Sequence, residues 1–141
     1  PKPSSAASDV YKRQLLDGAL IRNNSLSFIC KDIYIKPENT SSIFTKNNVV
    51  AKMPIAHNEG NYFATSDTIK KINDNDQVAF RYCDANGLIN EGSNPNGSID
   101  NIAGILNDNK NVLGLMPHPE RAVELGLGSD DGKYIFEGVL K

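Results

Sequence analysis

Apolar residues along this chain come in short runs separated by polar clusters, and the clearest run alternates. In residues 77–83 (QVAFRYC) Val78, Phe80 and Tyr82 occupy every second position, the period of a strand. Residues 27–36 (SFICKDIYIK) carry Phe28, Ile29, Ile33, Tyr34 and Ile35, β-branched and aromatic side chains that fit a pleated surface. Residues 49–55 (VVAKMPI) predict a third strand, with Pro54 expected at its end because proline cannot donate to a central ladder. Residues 99–106 and 112–116 predict two more. Turn signals lie between them. DANG at 84–87 favours a hairpin whose return arm opens with Leu88 and Ile89. NPNGS at 94–98 and NDNKN at 107–111 are polar turns, and residues 37–42 and 57–62 (HNEGNY) read as loops.

Helical signals are fewer. Residues 66–72 predict a short helix capped by Ser66, with Ile69 and Ile72 on its apolar face. Residues 129–140 predict a C-terminal helix with Asp130 and Asp131 near its start and an apolar face from Tyr134, Ile135, Val139 and Leu140. Residues 15–20 read as the end of a helix stopped at Gly18. The pattern is strand-rich, with too few βαβ units for a complete doubly wound sheet. It fits part of an α/β domain better than a whole one.

The chain has 141 residues, enough for one domain around one core. With 39% hydrophobic and 23% charged residues it has the composition of a soluble globular protein. A net charge of −2 offers no electrostatic footprint for nucleic acid or an anionic membrane. No apolar run is long enough to span a bilayer, and the cytoplasm is the expected compartment. Cys30 and Cys83 lie far apart without C-x-x-C spacing, and buried thiols are expected at both. Residues 1–14 (PKPSSAASDVYKRQ) begin with proline and carry almost no apolar period. They read as a non-native, scar-like segment, with residues 15–141 as the domain proper.

Candidate chemistry concentrates in Met116-Pro117-His118-Pro119-Glu120. Each proline pushes the residue before it toward extended backbone. In extended chain, residues two apart point to the same side. His118 and Glu120 are therefore expected to meet, imidazole beside carboxylate, as a general base and the group that orients it. The plainer reading is an exposed loop histidine between two prolines. A second H-x-E pair, His57 and Glu59, matches the first half of a zinc-deaminase signature, but no P-C-x-x-C completes it. Its two readings are a polar loop lining a cleft and a zinc hydrolase. There is no G-x-S-x-G, Walker loop or G-x-G-x-x-G.

The blocks LLDGALIRN, FICKD, IAHNEGNYF, FRYCDANG, NPNGSIDNIAGI, VLGLMPHPERAVE and GSDDG, taken in order, carry a resemblance. From about Leu15 to its end the chain resembles the glutaminase subunit of phosphoribosylformylglycinamidine synthase. That subunit is a class I glutamine amidotransferase of de novo purine biosynthesis. The resemblance implies an α/β, flavodoxin-like amidotransferase domain, truncated at its N-terminal side. It implies catalytic roles for His118 and Glu120, with glutamine as substrate, and a His57 loop bordering the glutamine pocket. It implies ammonia delivery to a large synthetase subunit, with a small accessory subunit in the same complex. No cofactor is expected in this chain, since ATP and magnesium belong to the synthetase. In the family a nucleophilic cysteine stands on a strand-to-helix elbow just upstream of the LLDGALIRN block. Here PKPSSAASDVYKRQ stands in that place, and neither Cys30 nor Cys83 matches the elbow. The chain is thus expected to be an inactive part of a glutaminase. The alternative is a non-catalytic module that docks on the synthetase.

Overall fold

The computed structural model describes residues 18–38, 42–46 and 49–140. The segment expected to be scar-like, residues 15–17 of the expected helix end, and residues 39–41 of the expected 37–42 loop lie outside the described residues. The strands are β1 (Ala19–Ile21), β2 (Ile29–Pro37), β3 (Ala51–His57), β4 (Asn61–Phe63), β5 (Val78–Cys83), β6 (Ile102–Leu106) and β7 (Leu113–Leu115). The helices are α1 (Ser66–Asp74), between β4 and β5, and α2 (Lys133–Leu140). Five strands form one sheet in the order β3-β2-β5-β6-β7, and β1 and β4 form a separate pair. Every ladder among the described residues is antiparallel.

The register places Ile33 opposite Met53 and Tyr34 opposite Cys83. One apolar cluster gathers Ile33, Ile35, Met53, Ile55, Ala79, Tyr82, Leu106 and Ile135; another gathers Tyr62, Ile72, Val78, Ile102 and Ile105. Strands β5 and β6 feed both clusters, so both of their faces are covered. That is why β6 is buried at every position, and why β5, for which the sequence predicts alternation, is buried at all but one. The exception is Arg81, whose guanidinium pairs with Glu38 at 3.4 Å and Asp100 at 2.9 Å.

Several expectations are corrected. Ala19–Ile21 is a strand paired with β4, not a helix end. The 57–62 segment is not a solvent loop: His57 closes β3, Asn61 and Tyr62 open β4, and all three are buried. The cap of α1 is Thr65, whose hydroxyl accepts the Thr68 N–H at 3.3 Å. The 84–87 turn closes as expected, with the Asp84 N–H on the Leu88 carbonyl at 2.9 Å and Asp84 Oδ1 taking the N–H groups of Asn86 and Leu88, but no return strand follows it and the chain enters a 3-10 turn at Glu91–Ser93. Residues 99–101 form another such turn, so β6 begins only at Ile102. Cys30 is exposed rather than buried, lying in the exposed run of residues 30–32 on β2.

Pro54 sits in the middle of β3, not at its end. The position tolerates proline because β3 is an edge strand. Residue 54 turns its backbone away from β2, where an N–H would have no ladder partner. The Pro54 carbonyl, facing the same way, accepts the N–H of His118 at 2.9 Å.

Candidate active site

His118 lies where the two edges of the sheet approach each other. Met116, just past β7, donates its N–H to Ala103 of β6 at 3.0 Å, and His118 donates to Pro54 of β3 at 2.9 Å. Strands β7 and β3 end the sheet on opposite sides. Two residues of extended chain reach only about 7 Å, so the sheet must curl until its edges nearly meet. Residues 116–118 bridge the seam.

Beyond the seam the chain enters a 3-10 turn, Pro119–Arg121, with proline in its first turn, where its fixed φ suits the entry. Arg121 N–H returns to the His118 carbonyl at 3.1 Å, and Ala122 N–H to the Pro119 carbonyl at 3.0 Å. The turn, not extended backbone, brings the pair together: His118 Nδ1 stands 2.8 Å from Glu120 Oε1. The sequence identified the right partners with the wrong local geometry. Pro119 does push His118 out of the helical region (φ −104°, ψ 89°), but Glu120 lies inside the turn.

An ionised carboxylate only accepts hydrogen bonds, so His118 donates from Nδ1 and the neutral ring keeps its lone pair on Nε2. The imidazole is about one-third exposed, at 31%. Partial burial alone would raise the Glu120 pKa. Its own backbone N–H, the bond from His118 and the His118 and Arg121 charges outweigh that and hold the carboxyl below its ordinary range. Glu120 therefore stays ionised and able to orient the ring at neutral pH.

His57 occupies different surroundings. Ala51, Met53, Ile55 and His57 are the buried positions of β3, and the strand's own period carries the imidazole inward. The ring stacks on Gly60 so closely that a Cβ there would collide with it. Asn96 Nδ2 lies 3.3 Å from His57 Nε2 and also donates to the Gly60 carbonyl at 2.7 Å and the Tyr82 hydroxyl at 3.2 Å. Asn23 ties the same strand end, donating to the His57 carbonyl and accepting the Gly60 N–H, both at 2.9 Å. Burial pushes the His57 pKa down, its own backbone carbonyl opposes this, and the nearby His118 charge pushes it down further. Glu59 is exposed, and among the described residues no three His, Cys, Asp or Glu side chains gather as a metal site. The geometry does not assemble His57 and Glu59 as the core of a zinc hydrolase.

Neither cysteine joins His118. Cys83 is buried on β5 opposite Tyr34. Burial, with the Asp84 charge adding and Lys36 opposing, pushes its thiol up to about 11. Cys30 stands opposite Ala56 on β2. Sequence reasoning missed Asn23, Gly60 and Asn96, which build the floor beneath His57. Only Gly60, in the Glu-Gly-Asn stretch of the 57–62 segment, left a local trace, as a backbone position open to close approach.

A histidine–carboxylate pair at a strand exit, on an antiparallel sheet with helices beside it, narrows the class of protein. Residues 9–129 match the CobB/CobQ-like glutamine amidotransferase domain, and the chain belongs to that family. It is 52% identical over 130 residues to the phosphoribosylformylglycinamidine synthase subunit PurQ of Chlorobium luteolum, and 50% identical over 128 residues to that of Pelagibacter ubique. These matches cover 90% and 89% of this chain but 56% of each relative, so the chain spans about half the length of the curated relatives it matches. The structure of PurLQS from Thermotoga maritima superposes with a TM-score of 0.74 at 38% identity, over 93% of this chain and 55% of that one. The fold is that of a class I glutamine amidotransferase.

Proposed function

We propose that this chain carries the base-and-orienter part of the glutaminase that supplies ammonia to phosphoribosylformylglycinamidine synthase. The observation that carries the reading is the 2.8 Å contact between His118 Nδ1 and Glu120 Oε1, which leaves Nε2 available as a base. The similarity to PurQ subunits at about half identity over nine-tenths of the chain supports the particular reaction.

In the proposed mechanism His118 Nε2 takes the proton of a cysteine thiol, and the thiolate attacks the side-chain amide carbon of glutamine. The imidazolium, held by Glu120, returns the proton to the departing nitrogen, and ammonia leaves as the cysteinyl thioester forms. Water, activated by the same imidazole, then releases glutamate and restores the thiol. The ammonia passes to a large synthetase subunit, which with a small accessory subunit and with ATP and magnesium converts formylglycinamide ribonucleotide to the formylglycinamidine. The proposed setting is the cytoplasm, and among the described residues no helix is long and apolar enough to cross a membrane.

The thiol in that scheme is neither Cys83, buried and pushed up to about 11, nor Cys30, exposed on β2 opposite Ala56. By itself this chain is therefore proposed to hydrolyse no glutamine. The test joins it to the N-terminal part of the Chlorobium luteolum relative and assembles the product with that organism's synthetase. His118→Ala should lower glutamine-dependent synthesis by about 10²- to 10⁴-fold and leave ammonia-dependent synthesis intact. Equal loss of both activities in an assembled complex would remove His118 from glutamine chemistry. A chimera that assembles but never uses glutamine would favour the docking module.

A further inference from the structure

We propose that Asp131 and Gly132 are positioning residues for the His118–Glu120 pair, clamping the turn that carries it against the free edge of β3. The turn is held from two sides. His118 N–H binds the Pro54 carbonyl at 2.9 Å, and Gly132 N–H binds the carbonyl of fully buried Ala122 at 2.8 Å. Residue 132 lies so near the turn that a Cβ would run into the Pro119 carbonyl oxygen, with Pro119 Cα at 2.8 Å and the Ala122 oxygen at 2.9 Å. Glycine is required there by close approach rather than by its φ.

Asp131 closes the clamp onto the strand itself. Its Oδ2 accepts the Lys52 N–H at 2.8 Å, and its own N–H is held by Ser129 Oγ at 3.1 Å. Lys52 and Pro54 are two apart on the edge strand, so their outward backbone groups face the same way. One is taken by Asp131 and the other by His118. Lys52, Pro54, His118, Ala122, Gly132 and Asp131 thus form a ring of alternating covalent and hydrogen-bonded links around the base of the turn.

This ring matters to the pair because His118 and Glu120 are short side chains on one small turn. A general base needs its orienting bond kept to within tenths of an ångström. The positioning role rests on the reading of His118 and Glu120 as a working pair. Two bonds and one glycine then do for the backbone what Glu120 does for the ring.

The test needs no turnover, so a failed glutaminase assay and a failed clamp are separate results. The chain has two histidines, and each imidazole can be followed by long-range ¹H–¹⁵N spectra of the labelled full chain across pH. His57→Gln and His118→Gln assign the signals. In the parent chain neutral His118 is expected to hold its proton on Nδ1. In Asp131→Ala and in Gly132→Ala that signature should give way to the Nε2–H form that free imidazoles prefer, while the His57 spectrum stays as it was. Asp131→Asn, which keeps an acceptor oxygen for Lys52, should retain the parental signature. The proposal is overturned if His118 keeps its parental spectrum in both disrupting variants. It is equally overturned if both histidines change together, since Asp131 and Gly132 would then only support the fold.

Discussion

The two histidines show how the same side chain takes opposite roles within one strand's reach. His118 is partly exposed and bonded to a carboxylate, whereas His57 is buried against Gly60 and faces the amide of Asn96. Among the described residues no charged partner compensates the buried His57 ring, whose Nε2 faces only the Asn96 amide, so burial disfavours its charged form. The pKa of His57 lies below the ordinary imidazole value of about 6.5. The unfolded chain takes up a proton near that value which the folded chain refuses, so the folded state loses stability as pH falls from about 6.5 toward the lowered value. Urea midpoints should drop over that window, and His57→Gln should flatten the drop. An equally steep loss in His57→Gln would assign the pH dependence to other groups. The cysteines differ in the same spirit. Alkylation at a pH of about 8 should label exposed Cys30 and spare Cys83, whose thiol is pushed up to about 11, until denaturant is added. Labelling of Cys83 in the native protein, read by peptide mass, would contradict its burial.

Thr65 at the start of helix α1 and Pro54 within strand β3 each depart from expectation for an identifiable reason. In α1 the boundary moves back by one: Thr65 is extended (φ −67°, ψ 159°) and takes the Thr68 N–H, which leaves Ser66 inside the helix. Thr65→Ala should cost about 1 kcal/mol, while Ser66→Ala should change stability by less than about 0.5 kcal/mol. Thermal or denaturant unfolding of the two variants decides between them, and the reverse order would restore Ser66 as the cap. In β3 the proline marks the edge. Its missing N–H falls on the outer side, and its carbonyl is the acceptor that docks His118. A proline that looks like a strand terminator is here part of the seam.

Across the molecule, Asn96 ties the small β1–β4 pair to the main sheet. It links the His57 end of β3, the Gly60 carbonyl before β4 and Tyr82 on β5, and its Oδ1 accepts the Ser98 N–H at 3.1 Å. Ser98 Oγ in turn accepts the Tyr62 N–H at 3.1 Å. Removing the amide strands several buried groups, each worth about 1–3 kcal/mol when unsatisfied. Asn96→Ala should therefore cost at least about 2 kcal/mol, seen as a lower denaturant midpoint with the slope unchanged. A midpoint within error of the parent would show that the cluster re-forms its bonds without Asn96.

Apolar runs rich in β-branched and aromatic residues, bounded by turn signals, mark the main-sheet strands β2, β3, β5, β6 and β7, because both signals are written into local residues. The identities of His118 and Glu120 were equally legible, since the two prolines and the two-residue spacing are local. The inward phase of His57 was also present in Ala51, Met53 and Ile55, but the polar letters after it suggested a loop. Tertiary structure alone decided the rest. Which strand is an edge determines whether Pro54 is allowed in mid-strand, and a strand's own letters do not report its neighbours. The curl that brings β7 beside β3, the Asn96 partner 39 residues from His57, and the Asp131 bond 79 residues from Lys52 depend on segments far apart in the chain. Such contacts form only when the packed sheet brings those segments together, so no window of sequence contains them.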